Sequence, residues 1–109
     1  MNTINGYIYI RNHTSYDVDN VCKMGKTQNI PDRNSVYITS ELRRGYFYPV
    51  FEVCIEEMGN IEYKLQRVFA EYNIQFERSG TEFYNKQIIP LIEPYLITHG
   101  ITYKKLTKQ

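Results

Sequence analysis

The feature that most constrains the fold is a pair of short β-like segments near the start of the chain. In the first, GYIYIRN, residues alternate so that Tyr7 and Tyr9 share one face while Ile8 and Ile10 share the other. We therefore predict a strand over about residues 6 to 11. After the polar segment HTSYDVDN, the segment VCKMGK predicts a second strand, and two short strands joined in this way indicate a hairpin.

The next two segments predict a helix and a longer strand. The Asn-Ile-Pro sequence that begins at Asn29 is a helix start, because asparagine caps free backbone N–H groups and proline is tolerated in the first turn. We predict that this helix runs to about Ser40. GYFYPVFEVCIE, residues 45 to 56, predicts a third strand, in which Pro49 indicates a bulge or an edge position.

The second half of the chain predicts two more helices. Asn60 is positioned to cap the first, which carries an apolar stripe at helical spacing. The residues of this stripe are Ile61, Leu65, Val68, Phe69 and Tyr72. A short extended piece is predicted at residues 82 to 84, and a final helix over about 86 to 98, shortened or kinked by Pro90 and Pro94. The element order β-β-α-β-α-α predicts an α+β fold with a small three-stranded, mainly antiparallel sheet flanked by helices.

Length and charge limit the classes of function. A chain of 109 residues is long enough for one domain with a modest core. Its formal net charge of +1 means that any nucleic-acid surface must be a local patch. Cys22 and Cys54 form no CxxC motif, which argues against a zinc site and a disulfide scaffold. No apolar stretch approaches the roughly 20 residues of a membrane span, so we expect a soluble, intracellular protein without a membrane partner.

Residues 25 to 27, Gly-Lys-Thr, look like part of a phosphate-binding loop. The motif requires another glycine five residues before this pair, and position 20 is asparagine. A nucleotide-binding P-loop is therefore not expected.

Four segments together resemble a known nuclease family. GYIYI, KMGKTQNIPDR, IEYKLQRVF and GTEFY, in this order and spacing, are similar to the GIY-YIG nuclease superfamily. The resemblance is to its small branch common in large viruses and phages, in which the signature opens as YIY and continues as KIG. The resemblance implies a single GIY-YIG-like nuclease domain over residues 1–109. It also implies that this domain is a metal-dependent endonuclease, which hydrolyses DNA to 5′-phosphate and 3′-hydroxyl ends. A viral protein of this kind would act in the host cytoplasm or nucleus.

The resemblance also implies a site, residue by residue. The catalytic set that it implies is Tyr9, Lys23, Arg33, Tyr37 and Glu62. Lys23 stands where the family's second tyrosine is found, which is a departure that changes the proton chemistry. Glu62 matches the family's metal-binding glutamate, with Mg²⁺ or Mn²⁺ as the implied cofactor. Gly25 and Asn73 match structural positions of the site, and Tyr7 shares the face of Tyr9.

The residue types suit phosphodiester hydrolysis. Tyr9 is a poor base at its ordinary pKa of about 10, and a neighbouring ammonium, for which Lys23 is the candidate, would lower that pKa. Arg33 near a helix start is a suitable clamp for phosphate oxygens. One carboxylate such as Glu62 suffices to hold Mg²⁺, which keeps several waters. A DNA-contacting patch is predicted from further cations, namely Arg11, Lys26, Arg43 and Arg44.

Each of these residues also has a purely structural interpretation. Tyr9 could be an ordinary residue of the sheet. Lys23 and Lys26 could be lysines that keep an edge strand solvated. Arg33 has Asp32 and Glu41 as alternative ion-pair partners.

Two glutamates have structural interpretations too. Glu62 could complement a helix dipole, and Glu82 in GTEFY is interpreted as a packing or capping residue.

The expected partner is duplex or branched DNA, with a homodimer left open. The alternative function is a noncatalytic nucleic-acid-binding or protein-interaction module that keeps the same fold.

Overall fold

The computed structural model describes residues 5–39, 41, 43–74 and 82–109. The strands are β1 (Asn5–Asn12), β2 (Val21–Thr27), β3 (Tyr46–Cys54), β4 (Phe83–Asn85) and β5 (Lys104–Leu106). The α-helices are α1 (Thr14–Asp17), α2 (Ile30–Ile38), α3 (Ile55–Val68) and α4 (Ile89–Thr98). Single turns of 3₁₀-helix span Ala70–Tyr72 and Lys86–Ile88.

The predicted α+β class is confirmed, but the predicted number of strands is wrong. The sheet has five antiparallel strands in the order β4-β2-β1-β3-β5. The predicted hairpin is present, with Tyr9 opposite Gly25. The short extended piece predicted at residues 82 to 84 is present as β4, whereas β5 was not predicted because three residues are too few to show an alternating pattern.

Pro49 marks a bulge rather than an edge strand. β3 lies between β1 and β5, so it has partners on both sides. Tyr9 pairs with Val50 but Arg11 pairs with Phe47, so three steps along β3 match two along β1. Such an extra residue is the definition of a bulge. It places Phe47 and Val50 together in the cluster that contains Tyr9.

The start of α2 is confirmed and the start of α3 is not. The Asn29 side chain accepts a hydrogen bond from the Asp32 backbone N–H at 3.0 Å, as a helix cap does. Helix α3, however, begins at Ile55 directly after β3, so Asn60 lies inside it. Glu62 is therefore well beyond the first turn, and its interpretation as a residue that complements the helix dipole is wrong.

Two apolar clusters lie on opposite faces of the sheet. The larger joins Ile8 and Ile10 to α3 and α4, with Ile61, Leu65 and Phe69 of the predicted stripe buried in it. Val68 of that stripe is instead 45 % exposed.

The smaller cluster contains Tyr9, Phe47 and Val50 and is covered by Ile30 and Tyr37 from α2. In the part of the chain that the structure describes, no helix is long and apolar enough to cross a membrane.

Candidate active site

Two phenols from different elements meet beneath α2. The Tyr9 side chain is 3 % exposed, and its hydroxyl lies 3.1 Å from that of Tyr37. Phe47 packs edge-on against both rings, with centroids 4.9 Å from Tyr9 and 5.9 Å from Tyr37. Burial raises the pKa of both phenols, while the mutual hydrogen bond lowers the pKa of Tyr9 and raises that of Tyr37. Either hydroxyl can donate in the neutral pair, and when Tyr9 is the phenolate Tyr37 is the donor.

Gly25 makes the space for the Tyr9 hydroxyl. A Cβ built on this glycine would lie 2.5 Å from the Tyr9 hydroxyl oxygen and 2.7 Å from the ring carbon that bears it. Any other residue at position 25 would therefore displace the phenol. The glycine of the sequence motif has a steric reason in this chain.

The Lys23 ammonium contacts the rings of Tyr37 and Phe83 and is not among the charges that lower the pKa of Tyr9. Lys23 lies opposite Arg11 in the β1–β2 register, and its ammonium is 5.2 Å from the centre of the Tyr37 ring and 4.9 Å from that of Phe83. The cation whose charge lowers the pKa of Tyr9 is Arg33, although burial is the larger effect and leaves that pKa raised. The prediction that Lys23 lowers the pKa of Tyr9 is therefore replaced by one that involves Arg33.

Arg33 lies on the exposed side of α2. It lines an open cleft of about 560 Å³ together with Thr27, Gln28 and Asn29. Among the described residues it forms no ion pair, and Glu41, one of its predicted partners, pairs with Arg11 instead. Its charge also lowers the pKa of Glu62, so this guanidinium acts on both the phenol and the carboxylate.

Glu62 projects from the middle of α3 toward Lys26. The two charged groups are 3.5 Å apart, and the carboxylate side chain is only 14 % exposed while the lysine is 45 % exposed. Burial raises the pKa of Glu62, and Lys26 lowers it. Lys26 therefore serves as the counter-ion of Glu62, not simply as a surface cation.

Glu82, interpreted from sequence as a packing or capping residue, has a larger influence on this site than expected. Its side chain is exposed, and its backbone carbonyl accepts a hydrogen bond from Met24 N–H at 3.1 Å, which fixes it beside β2. The negative charge of Glu82 raises the pKa values of Tyr9, Tyr37 and Glu62. No pattern in the sequence points to this role, because it depends on the pairing of β4 with β2.

The carboxylates of this site fit a hard divalent cation such as Mg²⁺ only in part. Mg²⁺ binds through one or two carboxylates and keeps several waters, so Glu62 alone could hold it. Lys26 competes with the ion for Glu62. Among the described residues no group of three or more His, Cys, Asp or Glu side chains lies close enough to hold a metal.

Arg11, predicted to contact DNA, is a buried structural residue. Its side chain is 0 % exposed and lies 2.6 Å from the Glu41 carboxylate. It also donates to the Asn34 side chain at 2.9 Å, and its guanidinium is 4.8 Å from the Tyr37 ring centre. Because Arg11 lies on the sheet face that α2 covers, it cannot reach a phosphate, and it instead holds the ring of Tyr37.

The other predicted site residues lie around this centre. Tyr7 packs against the same cluster, and its hydroxyl interacts with Glu52 of β3. The Asn73 side chain donates to the Phe83 carbonyl at 3.0 Å and so braces β4. Arg43 and Arg44 are exposed in the connection between α2 and β3.

The chain matches no family model, no curated protein and no solved structure significantly.

Proposed function

We propose that this protein is a metal-dependent endonuclease that hydrolyses DNA phosphodiester bonds, with Tyr9 as the general base. The observation that carries the proposal is the buried Tyr9–Tyr37 pair, 3.1 Å between hydroxyls, packed over Gly25. Tyr37 gives the Tyr9 oxygen a donor that can stabilise its anionic form, and Gly25 leaves the space that this oxygen occupies. The resemblance to GIY-YIG nucleases names the same residues.

The charges around the phenol suit a phosphodiester. Arg33 is exposed at the mouth of an open cleft, and a guanidinium has the planar fork that matches two phosphate oxygens. The same charge favours the phenolate of Tyr9. Arg33 can therefore orient the substrate, and before the phosphate binds its charge lowers the pKa of the base.

Tyr37 and Lys23 hold and tune the base. Tyr37 donates its hydroxyl proton toward the Tyr9 oxygen as that oxygen becomes anionic, which stabilises the charged form. The Lys23 ammonium lies over the Tyr37 ring, so it acts on Tyr9 through Tyr37. Lys23 is thus assigned as a positioning residue.

Glu62 is the residue that would hold the divalent cation. When bound there, Mg²⁺ or Mn²⁺ would polarise a phosphate oxygen and stabilise the negative charge that develops on it. Lys26 would release Glu62 and become available to the phosphate backbone.

Two observations favour the noncatalytic alternative. Tyr9 is only 3 % exposed, and its pKa is raised rather than lowered in the chain alone. A module that binds nucleic acid without cutting it would also contain Arg33 in an open cleft. Activity measurements separate the two.

The test is nicking of supercoiled plasmid with and without Mg²⁺, using Tyr9→Phe and Glu62→Gln. We expect both variants to lose nicking while retaining DNA binding, since each removes one reacting group and little volume. Tyr7→Phe, on the same strand and the same face, is the matched control for the phenol. Glu57→Gln, exposed in the first turn of the same helix, is the control for the carboxylate.

The outcomes are distinct. Loss of nicking in the two test variants, with wild-type activity in both controls, supports the proposal. Wild-type nicking by Tyr9→Phe would show that the base has been misassigned, and absence of metal-dependent nicking by the wild-type protein would favour the noncatalytic alternative.

A further inference from the structure

A second cationic surface lies away from the Tyr9 site. We define the Tyr–Lys patch as Tyr46, Tyr48, Lys105 and Lys108, all of which are exposed. The Lys108 ammonium is 4.3 Å from the centre of the Tyr46 ring, and that of Lys105 is 5.4 Å from the Tyr48 ring. Two aromatic rings and two cations therefore share one surface at the end of β3.

The backbone of this patch is fixed. The Phe47 and Gln109 backbones exchange two hydrogen bonds of 3.0 Å, which extend the pairing of β3 with the terminal segment. The buried ring of His13 donates from Nε2 to the Arg43 carbonyl at 2.5 Å, and the Asn12 side chain donates to the Tyr48 carbonyl at 2.8 Å. The backbone at positions 46 and 48 is thus held in place, and these two tyrosines remain 38 % and 40 % exposed.

The patch and Tyr9 lie on opposite faces of the sheet. Lys105 lies opposite Phe51, which belongs to the cluster formed with α3 and α4. Tyr9 belongs to the cluster under α2 on the other face of the sheet. The patch therefore has no part in holding Tyr9 and Tyr37.

The charges nearby favour an anionic ligand. Arg43 and Arg44, both exposed, precede the patch in the chain and add two more cations. The acidic group in contact with it is Glu93, 3.6 Å from Lys105, and an ion pair exposed on both sides is a weak one that a phosphate can replace. A local excess of positive charge on a chain with a net charge of +1 indicates a polyanion.

The spacing of the rings favours single-stranded over duplex nucleic acid. Residues two apart on a strand are separated by roughly 7 Å. Stacked bases in a duplex are about 3.4 Å apart, so adjacent bases could lie on both rings only if they were unstacked from each other. Sequence-tolerant binding of single strands uses aromatic rings for bases together with cations for the backbone.

We infer that the Tyr–Lys patch binds an unpaired stretch of nucleic acid, with bases stacked on Tyr46 and Tyr48 and phosphates near Lys105 and Lys108. This deepens the proposed function, on which it rests for the choice of nucleic acid as ligand. It directs the enzyme toward substrates that carry a single-stranded segment, such as branched or gapped DNA.

The experiment measures fluorescence anisotropy of a labelled oligothymidine of about 16 nucleotides, in a chelator so that no cleavage occurs, beside a duplex of the same length. We expect Tyr46→Ala and Tyr48→Ala each to weaken single-strand binding by roughly 5- to 100-fold. Tyr46→Phe should bind like the wild type, since it keeps the ring. Lys105→Gln and Lys108→Gln should each reduce the slope of log affinity against log salt by about 0.7.

Tyr63 provides a matched control. It is 54 % exposed on α3, has Arg67 5.7 Å from its ring centre, and so carries the same kind of ring and cation outside the patch. We expect Tyr63→Ala to bind single strands like the wild type. Equal loss in Tyr63→Ala and the patch variants would overturn the inference.

The remaining outcomes separate this inference from the proposed function. Weakened single-strand binding in the patch variants supports the inference whether or not the protein nicks plasmid DNA. Unchanged single-strand binding in those variants overturns it even where nicking is intact. A dimer seen by sedimentation that the patch variants abolish would assign the surface to a second copy of the chain and overturn the inference as well.

Discussion

The buried Arg11–Glu41 pair allows the most quantitative prediction. Arg11 is fully buried, and its neighbours include the Asn34 amide and the rings of Tyr37 and Phe47. Replacing Glu41 with leucine leaves a guanidinium without its counter-ion in that enclosure. Removing one partner of a buried ion pair costs about 3 to 5 kcal/mol of unfolding free energy. Because Arg11 keeps its other contacts, we expect a loss of about 3 kcal/mol.

The size of the effect is easily measured. For a domain of roughly this length, 1 kcal/mol corresponds to about 4 to 8 °C, so Glu41→Leu should lower the melting temperature by roughly 12 to 24 °C. Thermal unfolding followed by circular dichroism, together with urea titration, gives the change in the free energy of unfolding. Asp17→Asn, which removes a more exposed pair with Lys86, is the control and should change stability by less than about 1 kcal/mol.

The double variant tests the reasoning itself. Arg11→Met with Glu41→Leu replaces both charges by apolar groups, and such replacements are often neutral or stabilising. We therefore expect the double variant to be more stable than Glu41→Leu. If Glu41→Leu melts within a few degrees of the wild type, the guanidinium is not confined as described and the argument fails.

Three further predictions concern the site and the core. Gly25→Ala should cost about 1 to 3 kcal/mol, because its Cβ overlaps the Tyr9 hydroxyl, and urea titration should show part of that loss recovered in the double variant with Tyr9→Phe. Glu62→Gln should leave the melting temperature at pH 7 unchanged or raised, since burial raises the pKa of this carboxyl and so disfavours its charged form; a large loss of stability would make Glu62 structural. Burial also raises the pKa of the Cys22 thiol from 9.0 to about 12, so the neutral thiol contributes fully to stability below pH 9, and this contribution is lost as the pH rises toward 12. The variant Cys22→Ala should therefore show a smaller fall of melting temperature between pH 9 and pH 12. An unchanged fall would contradict this.

Sequence patterns predicted those parts of the structure that depend on neighbouring residues in the chain. Alternation in GYIYIRN predicted which residues of β1 face which cluster, and the Asn29 cap predicted the start of α2. The same alternation puts Arg11 on the face of Tyr9, which α2 covers. The alternation therefore indicates a buried Arg11, and the prediction that Arg11 contacts DNA is wrong.

The features that could not be predicted depend on pairing between distant segments. β5 is extended because it pairs with β3, and α3 begins at Ile55 because β3 runs directly into it, which makes Asn60 an interior residue. The contact between Tyr9 and Tyr37 joins positions 28 apart in sequence and depends on how α2 packs on the sheet. Local propensity carries no information about such contacts.

The charge balance at Tyr9 links the proposed base to the proposed metal. Burial is the largest effect on its pKa and raises it, Arg33 lowers it, and Glu82 and Glu62 raise it further. A phosphate entering the Arg33 cleft would add negative charge and would also offset the guanidinium that favours the phenolate. A divalent cation at Glu62 would offset one of the two carboxylate charges that raise this pKa, while burial, the largest effect, would still disfavour the phenolate. In the proposed reaction, a divalent cation held by Glu62 would therefore favour the deprotonation of Tyr9 as well as polarise the phosphate, so the proposed metal and the proposed base would assist each other.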